Sequence, residues 1–378
     1  MSGRWLRWVP AAAVPAVIGL GVWAGPLQAT VAAKAPDRTP EQVLALVAQS
    51  RVDALSGTIE QTSDLGLPQL PKTGLGATAG AASWVDMLTA PHTARVYLDG
   101  PTRMRVQVLD QLAERDLVRS GPDLWTYNSS DNTVTHVTMP ARGFKKTLPS
   151  ALPARVESPD QLARQFLSAV GPTTRVSEGP QSRMAGRAAY HLILSPRTTD
   201  TLIGSVDIAV DAATGLPLGV TVLARGQEKP ALQVQFTQLS LAAPAADVFR
   251  FVPPAGAHVQ QLTLPQRPVA HPDAKLPNAR LPDAKLPGVR LPGHMIQGET
   301  HRVPVTVAGT GWDAVIEAAA GTVSQQMLDN PAVAAMMHPV TGGRALSTSV
   351  FTVFVATDGR LFAGAVPLER LQAAAAAR

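Results

Sequence analysis

The sequence predicts an α+β protein built on a broad antiparallel sheet with one dry face. First, short apolar runs between residues 94 and 139 are separated by Asp99-Gly100-Pro101, Ser120-Gly121-Pro122-Asp123 and Asn128-Ser129-Ser130-Asp131-Asn132, residues that preset or tolerate turn dihedrals. Second, Met104, Val106 and Val108 alternate with Arg103, Arg105 and Gln107, the period of two expected of a strand with one dry and one wet side. Third, Thr39-Pro40-Glu41-Gln42 and Ser158-Pro159-Asp160-Gln161 each supply an N-cap, a proline for the first helical position and a Gln to complete a capping box. Such a sheet cannot stand alone. Its dry face must meet helices, a second sheet or a ligand.

In chain order, Arg4 and Arg7 precede an uncharged run from Trp8 to Ala33, the pattern of an export signal that puts the body outside the cytoplasmic membrane. Leu27-Gln28-Ala29 and Val31-Ala32-Ala33 offer two cleavage sites; uncut, the run is long enough for an anchor, since about 20 residues span a bilayer. The first helix carries Val43, Leu44, Leu46 and Val47 on its apolar stripe and ends near Ser50. Ser56 to Leu65 reads as a strand. Leu67 to Ser83 reads as a Pro/Gly/Ala loop, followed by a helical turn at Trp84 to Leu88. The meander comes next, read as four strands: Ala94–Leu98, Arg103–Leu109, Arg115–Arg119 with Leu124–Asn128, and Thr133–Met139. A basic loop, Arg142 to Lys146, leads to the second capped helix, with Leu162, Phe166, Leu167 and Val170 inward and Gly171-Pro172 as its stop.

A second strand series covers Ala188–Ser195, Gly204–Val210, Leu218–Ala224 and Ala231–Leu241, the middle pair joined by a hairpin from Asp211 to Pro217. Val206, Ile208 and Val210 share a face. Phe249 and Phe251 lead to Val252-Pro253-Pro254-Ala255-Gly256, which closes the unit. Asp273 to Pro292 is four Leu-Pro pentads; a proline every fifth residue excludes helix and central strand and favours polyproline II, about 60 Å long at ~3.1 Å per residue. A spacer is the expected role. Strands resume at Val303–Val307, Trp312–Glu317 and a hairpin of Ala345–Ala356 with Arg360–Val366 across Asp358-Gly359. Val323–Met337 reads as helical, and Glu369–Arg378 as a helical tail. The expected division is a leader (1–33), a main domain (34–261), a proline-rich insert (262–302), and strands and a tail that complete the fold (303–378).

Composition excludes several function classes. There is no cysteine, hence no disulfide, thiolate catalysis or cysteine zinc site. The net charge of +5 resides in the leader and the proline-rich segment, which leaves a near-neutral body and no nucleic-acid partner. No nucleophile elbow, His-Glu-x-x-His, phosphate loop or complete dinucleotide fingerprint occurs. The eight histidines are scattered, and Asp207 and Asp211 look like paired carboxylates only until Asp211 is recognised as a turn opener. The expectation is a protein without cofactor or metal that is not an enzyme. Trp125 and Tyr127 share one face of one strand; they either fill the core or line a pocket for an apolar ligand.

The order of elements, with Ser56-Gly-Thr-Ile-Glu-Gln, Leu98-Asp-Gly-Pro-Thr-Arg-Met-Arg-Val, Asp123-Leu-Trp-Thr-Tyr-Asn-Ser, Val210-Asp-Ala-Ala-Thr-Gly-Leu-Pro-Leu and Phe249-Arg-Phe-Val-Pro-Pro-Ala-Gly, resembles the exported LolA-like proteins of actinobacteria. These are similar to the lipoprotein carrier LolA and to RseB, the periplasmic regulator of an anti-sigma factor. The resemblance extends over about residues 38 to 371 apart from the insert, with Gly311-Trp-Asp-Ala-Val and Thr357-Asp-Gly-Arg-Leu-Phe-Ala-Gly-Ala-Val. It implies a strongly curved antiparallel sheet, an unclosed barrel, with helices across its concave side and an apolar cavity that holds an acyl chain. The expected function is extracytoplasmic binding or transport of a lipid or lipoprotein acyl chain, with Met104, Val106, Val108, Trp125, Tyr127, Val206, Ile208 and Val210 as lining. The alternative is an RseB-like sensor that docks on a membrane-bound regulator; a membrane transporter is a further possible partner.

Overall fold

The computed structural model describes residues 35–67, 91–109, 114–138, 158–168, 170–263, 305–321 and 331–377. The leader, the Pro/Gly/Ala loop beyond Leu67, the turn expected at Trp84 to Leu88, the loop from Arg142 to Lys146 and the pentads from Asp273 to Pro292 lie outside them. Met1–Asp37 forms one unit and Arg38–Arg378 another; the described helices and strands all belong to the second. Among the described residues no helix is long and apolar enough to cross a membrane.

Two capped helices begin where the sequence places them. In α1 (Pro40–Gln49) the Gln42 amide donates to Thr39 Oγ1 and the Thr39 amide to Gln42 Oε1, a complete capping box. The Ser158 and Gln161 side chains make the same exchange ahead of α2 (Pro159–Ser168). Each cap satisfies amides that the first helical turn leaves without a carbonyl.

The large sheet has twelve strands. They are β1 (Ala54–Ser63), β2 (His92–Asp99), β3 (Arg103–Leu109), β4 (Glu114–Ser120), β5 (Asp123–Asn128), β6 (Thr133–Thr138), β7 (Thr174–Met184), β8 (Arg187–Pro196), β9 (Ile203–Asp211), β10 (Pro217–Ala224), β11 (Pro230–Ser240) and β12 (His258–Thr263). Their order is β12-β6-β5-β4-β3-β2-β1-β11-β10-β9-β8-β7. Every pairing is antiparallel except β12 on β6. Two sequence-local meanders, β1 to β6 and β7 to β11, thus meet at one seam, β1 against β11, where the register slips between Thr58 and Ile59. The order ends at β12 and β7, so the sheet is open, as the resemblance implies. Helix α1 packs on β7 and β8, and α2 on β10 and β11.

Two strands of the large sheet were not legible from the sequence alone. In β7, Gly179 and Pro180 break the pattern, yet β7 is an edge strand and its register shift between Gly179 and Ser182 absorbs them; edges and bulges are where a sheet tolerates proline. Strand β12 gains its place by parallel addition to β6, which no local turn announces.

The C-terminal strands do not join the large sheet. They form a six-stranded antiparallel sheet of their own: β13 (Val305–Ala308), β14 (Val315–Ala318), β15 (His338–Val340), β16 (Gly343–Ser347), β17 (Thr352–Ala356) and β18 (Leu361–Gly364), in the order β13-β14-β18-β17-β16-β15. The strand expected from Trp312 is instead a 3-10 turn (Gly311–Asp313) ahead of β14, and the one expected from Ala345 to Ala356 divides into β16 and β17. The short helix α3 (Pro331–Met336) precedes β15. Helix α4 (Leu368–Ala376) buries Leu371 against Val315, Ala345, Phe354, Phe362 and Val366. The small sheet is tied to the large one at three places. Thr201 Oγ1 donates to Ala365 O at 2.7 Å, the Ser349 amide to Leu65 O at 2.9 Å, and Trp312 Nε1 to Thr174 Oγ1 at 2.8 Å.

Candidate functional site

Strand register assigns faces across the whole large sheet, because directly paired residues point the same way. Val106 pairs with Val96, which pairs with Gly57, and Val108 pairs with Ala94, then Ile59, then Phe236. Beyond the seam the same side carries Val234, Val220, Ile208 and Leu192, with Val222, Val206 and Leu194 in the next row. Six of the eight residues expected as lining, Met104, Val106, Val108, Val206, Ile208 and Val210, therefore share one face.

Trp125 and Tyr127 occupy the other. Val106 pairs with Leu117 and Leu117 with Thr126, so the residues flanking Thr126 project oppositely. The single cavity lining expected from the sequence is thus divided between two sides of the sheet. There the Trp125 indole stacks on the His136 imidazole, with centroids 3.8 Å apart, and on Phe251 at 5.5 Å; Tyr127 meets the same Phe251 at 6.4 Å. Phe251 belongs to the segment that runs from the 3-10 turn Ala246–Phe249 to β12 across β3 and β4. Arg105 fastens it by donating to Val248 O at 3.0 Å, while its Nε and Nη2 grip both carboxylate oxygens of Asp116. Burial pushes the Asp116 carboxyl above the ordinary Asp range; hydrogen bonds and charge from Arg105 pull the other way. Phe251 thus packs on an aromatic pair that is itself half-buried.

The shared apolar face is unequal along its width. Val206, Ile208 and Val210 are fully enclosed, together with Leu192, Leu194 and Tyr190, over whose ring Arg38 sits. On β2 to β4 the side chains of Val96, Leu98, Met104, Val106 and Leu117 are only half-buried. Val96 and Leu98 lean on the cluster of Leu55 and Leu218, and Arg119, the register partner of Met104, stands at the border of the strip. Sequence reasoning named Met104 and Val106 but not Val96, Leu98 or Leu117. The alternation of Val96 and Leu98 with Arg95 and Tyr97 carries the signal. Among the described residues no group of three or more His, Asp or Glu is placed to hold a metal ion.

Residues 87–267 match the MucB/RseB N-terminal domain. Over that stretch the chain is similar to that domain family. The matched stretch runs from just ahead of β2 to just beyond β12, so it takes in the half-buried strip and the segment that carries Phe251 against Trp125. No curated protein matches the chain. Among solved structures it is similar to the Pseudomonas aeruginosa MucA/MucB complex, at 18% identity and a TM-score of 0.40 over 88% of this chain and 96% of that one. It is similar also to MucB in complex with MucA(peri), at 17% and 0.39 over 88% and 96%. A LolA superfamily protein from Nitrosomonas europaea is similar at 11% and 0.22, over 57% of this chain and 99% of that one.

Proposed function

We propose that this protein binds an acyl chain of a lipid or lipoprotein outside the cytoplasm, on the strip formed by Val96, Leu98, Met104, Val106 and Leu117. The observation that carries the reading is the change of burial along one continuous apolar face, from closed core on β8 to β11 to half-buried aliphatic side chains on β2 to β4. Each CH2 taken from water there contributes about 0.8 kcal/mol, so a long chain needs no polar anchor. Arg119 beside Met104 favours an acidic over a basic headgroup. The decisive measurement is native mass spectrometry of residues 36–378 prepared without detergent, followed by solvent extraction. A bound mass that extracts as lipid supports the reading. A ligand-free mass with no uptake of added acyl lipids removes it.

A regulator that docks on a membrane protein is the second reading, favoured by the match of residues 87–267 to the MucB/RseB domain. MucB itself is found in complex with MucA. Crosslinking in the native host separates the two: recovery of one membrane protein in stoichiometric yield supports docking, and its absence leaves the carrier role alone.

A further inference from the structure

One face of β7, β8 and β9 carries a relay of three side chains that the binding role does not use. Ser182 Oγ lies 2.7 Å from His191 Nε2, and the Asp207 carboxylate oxygens lie 2.9 and 3.0 Å from His191 Nδ1. Register explains the approach. Ser182 pairs with Ala189 and His191 with Ala209, so Ser182 to His191 and His191 to Asp207 are successive diagonal neighbours on one face. The slip between Gly179 and Ser182 aims this part of β7 off the ladder, as bulges beside reactive groups do. Gly179 makes the closeness possible: a Cβ there would stand 3.0 Å from His191 Cβ.

The contacts set the order Ser182, His191, Asp207. In the neutral imidazole whose Nδ1–H points to the Asp207 carboxylate, Nε2 is the acceptor that the Ser182 O–H meets. This is the tautomer in which an imidazole acts as general base toward a serine. Ser182 is exposed while the His191 ring is mostly enclosed. The nucleophile thus faces solvent, and the base is held behind it.

We infer that Ser182, His191 and Asp207 form a nucleophilic site that cleaves small, accessible carboxylic esters through an acyl-serine intermediate. Ser182 Oγ adds to the ester carbonyl carbon as its proton passes to His191 Nε2. Collapse breaks the carbon–oxygen bond to the alcohol, which leaves with that proton. Water then adds to the acyl carbon, giving one proton to Nε2, and the second collapse returns that proton to Ser182 and releases the carboxylic acid. The arrangement went unnoticed in the sequence because its members lie on three strands, and triads are recognised by geometry rather than by spacing.

The test uses the full-length protein and diisopropyl fluorophosphate, with intact-mass analysis and peptide mapping, alongside p-nitrophenyl acetate turnover. The expected result is a single phosphoryl adduct on Ser182, absent in Ser182→Ala, whose exposed site keeps the fold. His191→Gln, which can still donate to Asp207, slows both labelling and turnover by about 100-fold or more, the usual span for a lost general base. Labelling of Ser182 no faster than of the exposed Ser240 overturns the assignment. So does labelling unchanged in His191→Gln, or turnover unchanged in Ser182→Ala.

Discussion

The Trp312 indole donates through Nε1 to the Thr174 hydroxyl at 2.8 Å, and it stacks on Phe166 with ring centroids 6.3 Å apart. One residue of the C-terminal region thereby engages the first residue of β7 and the face of α2. Trp312→Phe retains the stack but leaves the buried Thr174 hydroxyl without this donor, at an expected cost of about 1–3 kcal/mol. Trp312→Ala should cost about 3–5 kcal/mol and separate the unfolding of the two sheets. Urea titration followed by near- and far-UV circular dichroism reads both.

Val106 and Ile208 lie on one face but differ in enclosure. Val106→Asp should therefore fold and lose co-purifying lipid, whereas Ile208→Asp should not give a folded protein, because it buries a carboxylate with no partner. A folded Val106→Asp protein that retains lipid would remove the strip from the binding site.

Asp116 gives stability a signed pH dependence. Its carboxyl is held above the unfolded value chiefly by burial, so the native state holds this proton more tightly. The stability it contributes is full below the unfolded pKa and is lost as pH rises through the folded one. Relative to Asp116→Asn, the wild-type protein should lose stability as pH rises through the window just above the ordinary Asp range. Chemical denaturation of both proteins at a series of pH values checks the direction.

The two caps are independent and local. Thr39→Ala and Ser158→Ala should each cost about 1 kcal/mol. The sites share no hydrogen-bond partner, so the double variant should lose the sum. Thermal melts of the four proteins close the cycle.

Most strands of the two meanders were legible because Gly100, Gly121 and the Asp211–Pro217 hairpin mark where the chain turns. Strand β7 was not, since the period-two pattern dissolves in Thr-Arg-Val-Ser-Glu-Gly-Pro-Gln, and an edge strand needs only one neighbour. The site was half legible for a physical reason. Alternation tells which residues share a face within one strand, so Met104, Val106 and Val108 were grouped together. Relating Trp125 to Val106 requires the register across two turns, and that register sets them on opposite sides. The aromatic pair then met Phe251 from a segment more than a hundred residues away in sequence, a contact no local pattern encodes.

The seam between β1 and β11 should be the slow step of folding. Apart from the long connection between β1 and β2, the meanders close hairpin by hairpin in fast steps, but the seam joins residues 56–63 to residues 232–240 and needs both ribbons in place. Pairing so distant in sequence is slow, because its loop closure comes before its contacts reward it. Refolding should accordingly show two early half-sheets that protect their amides separately, and one late event that locks Ile59 against Phe236.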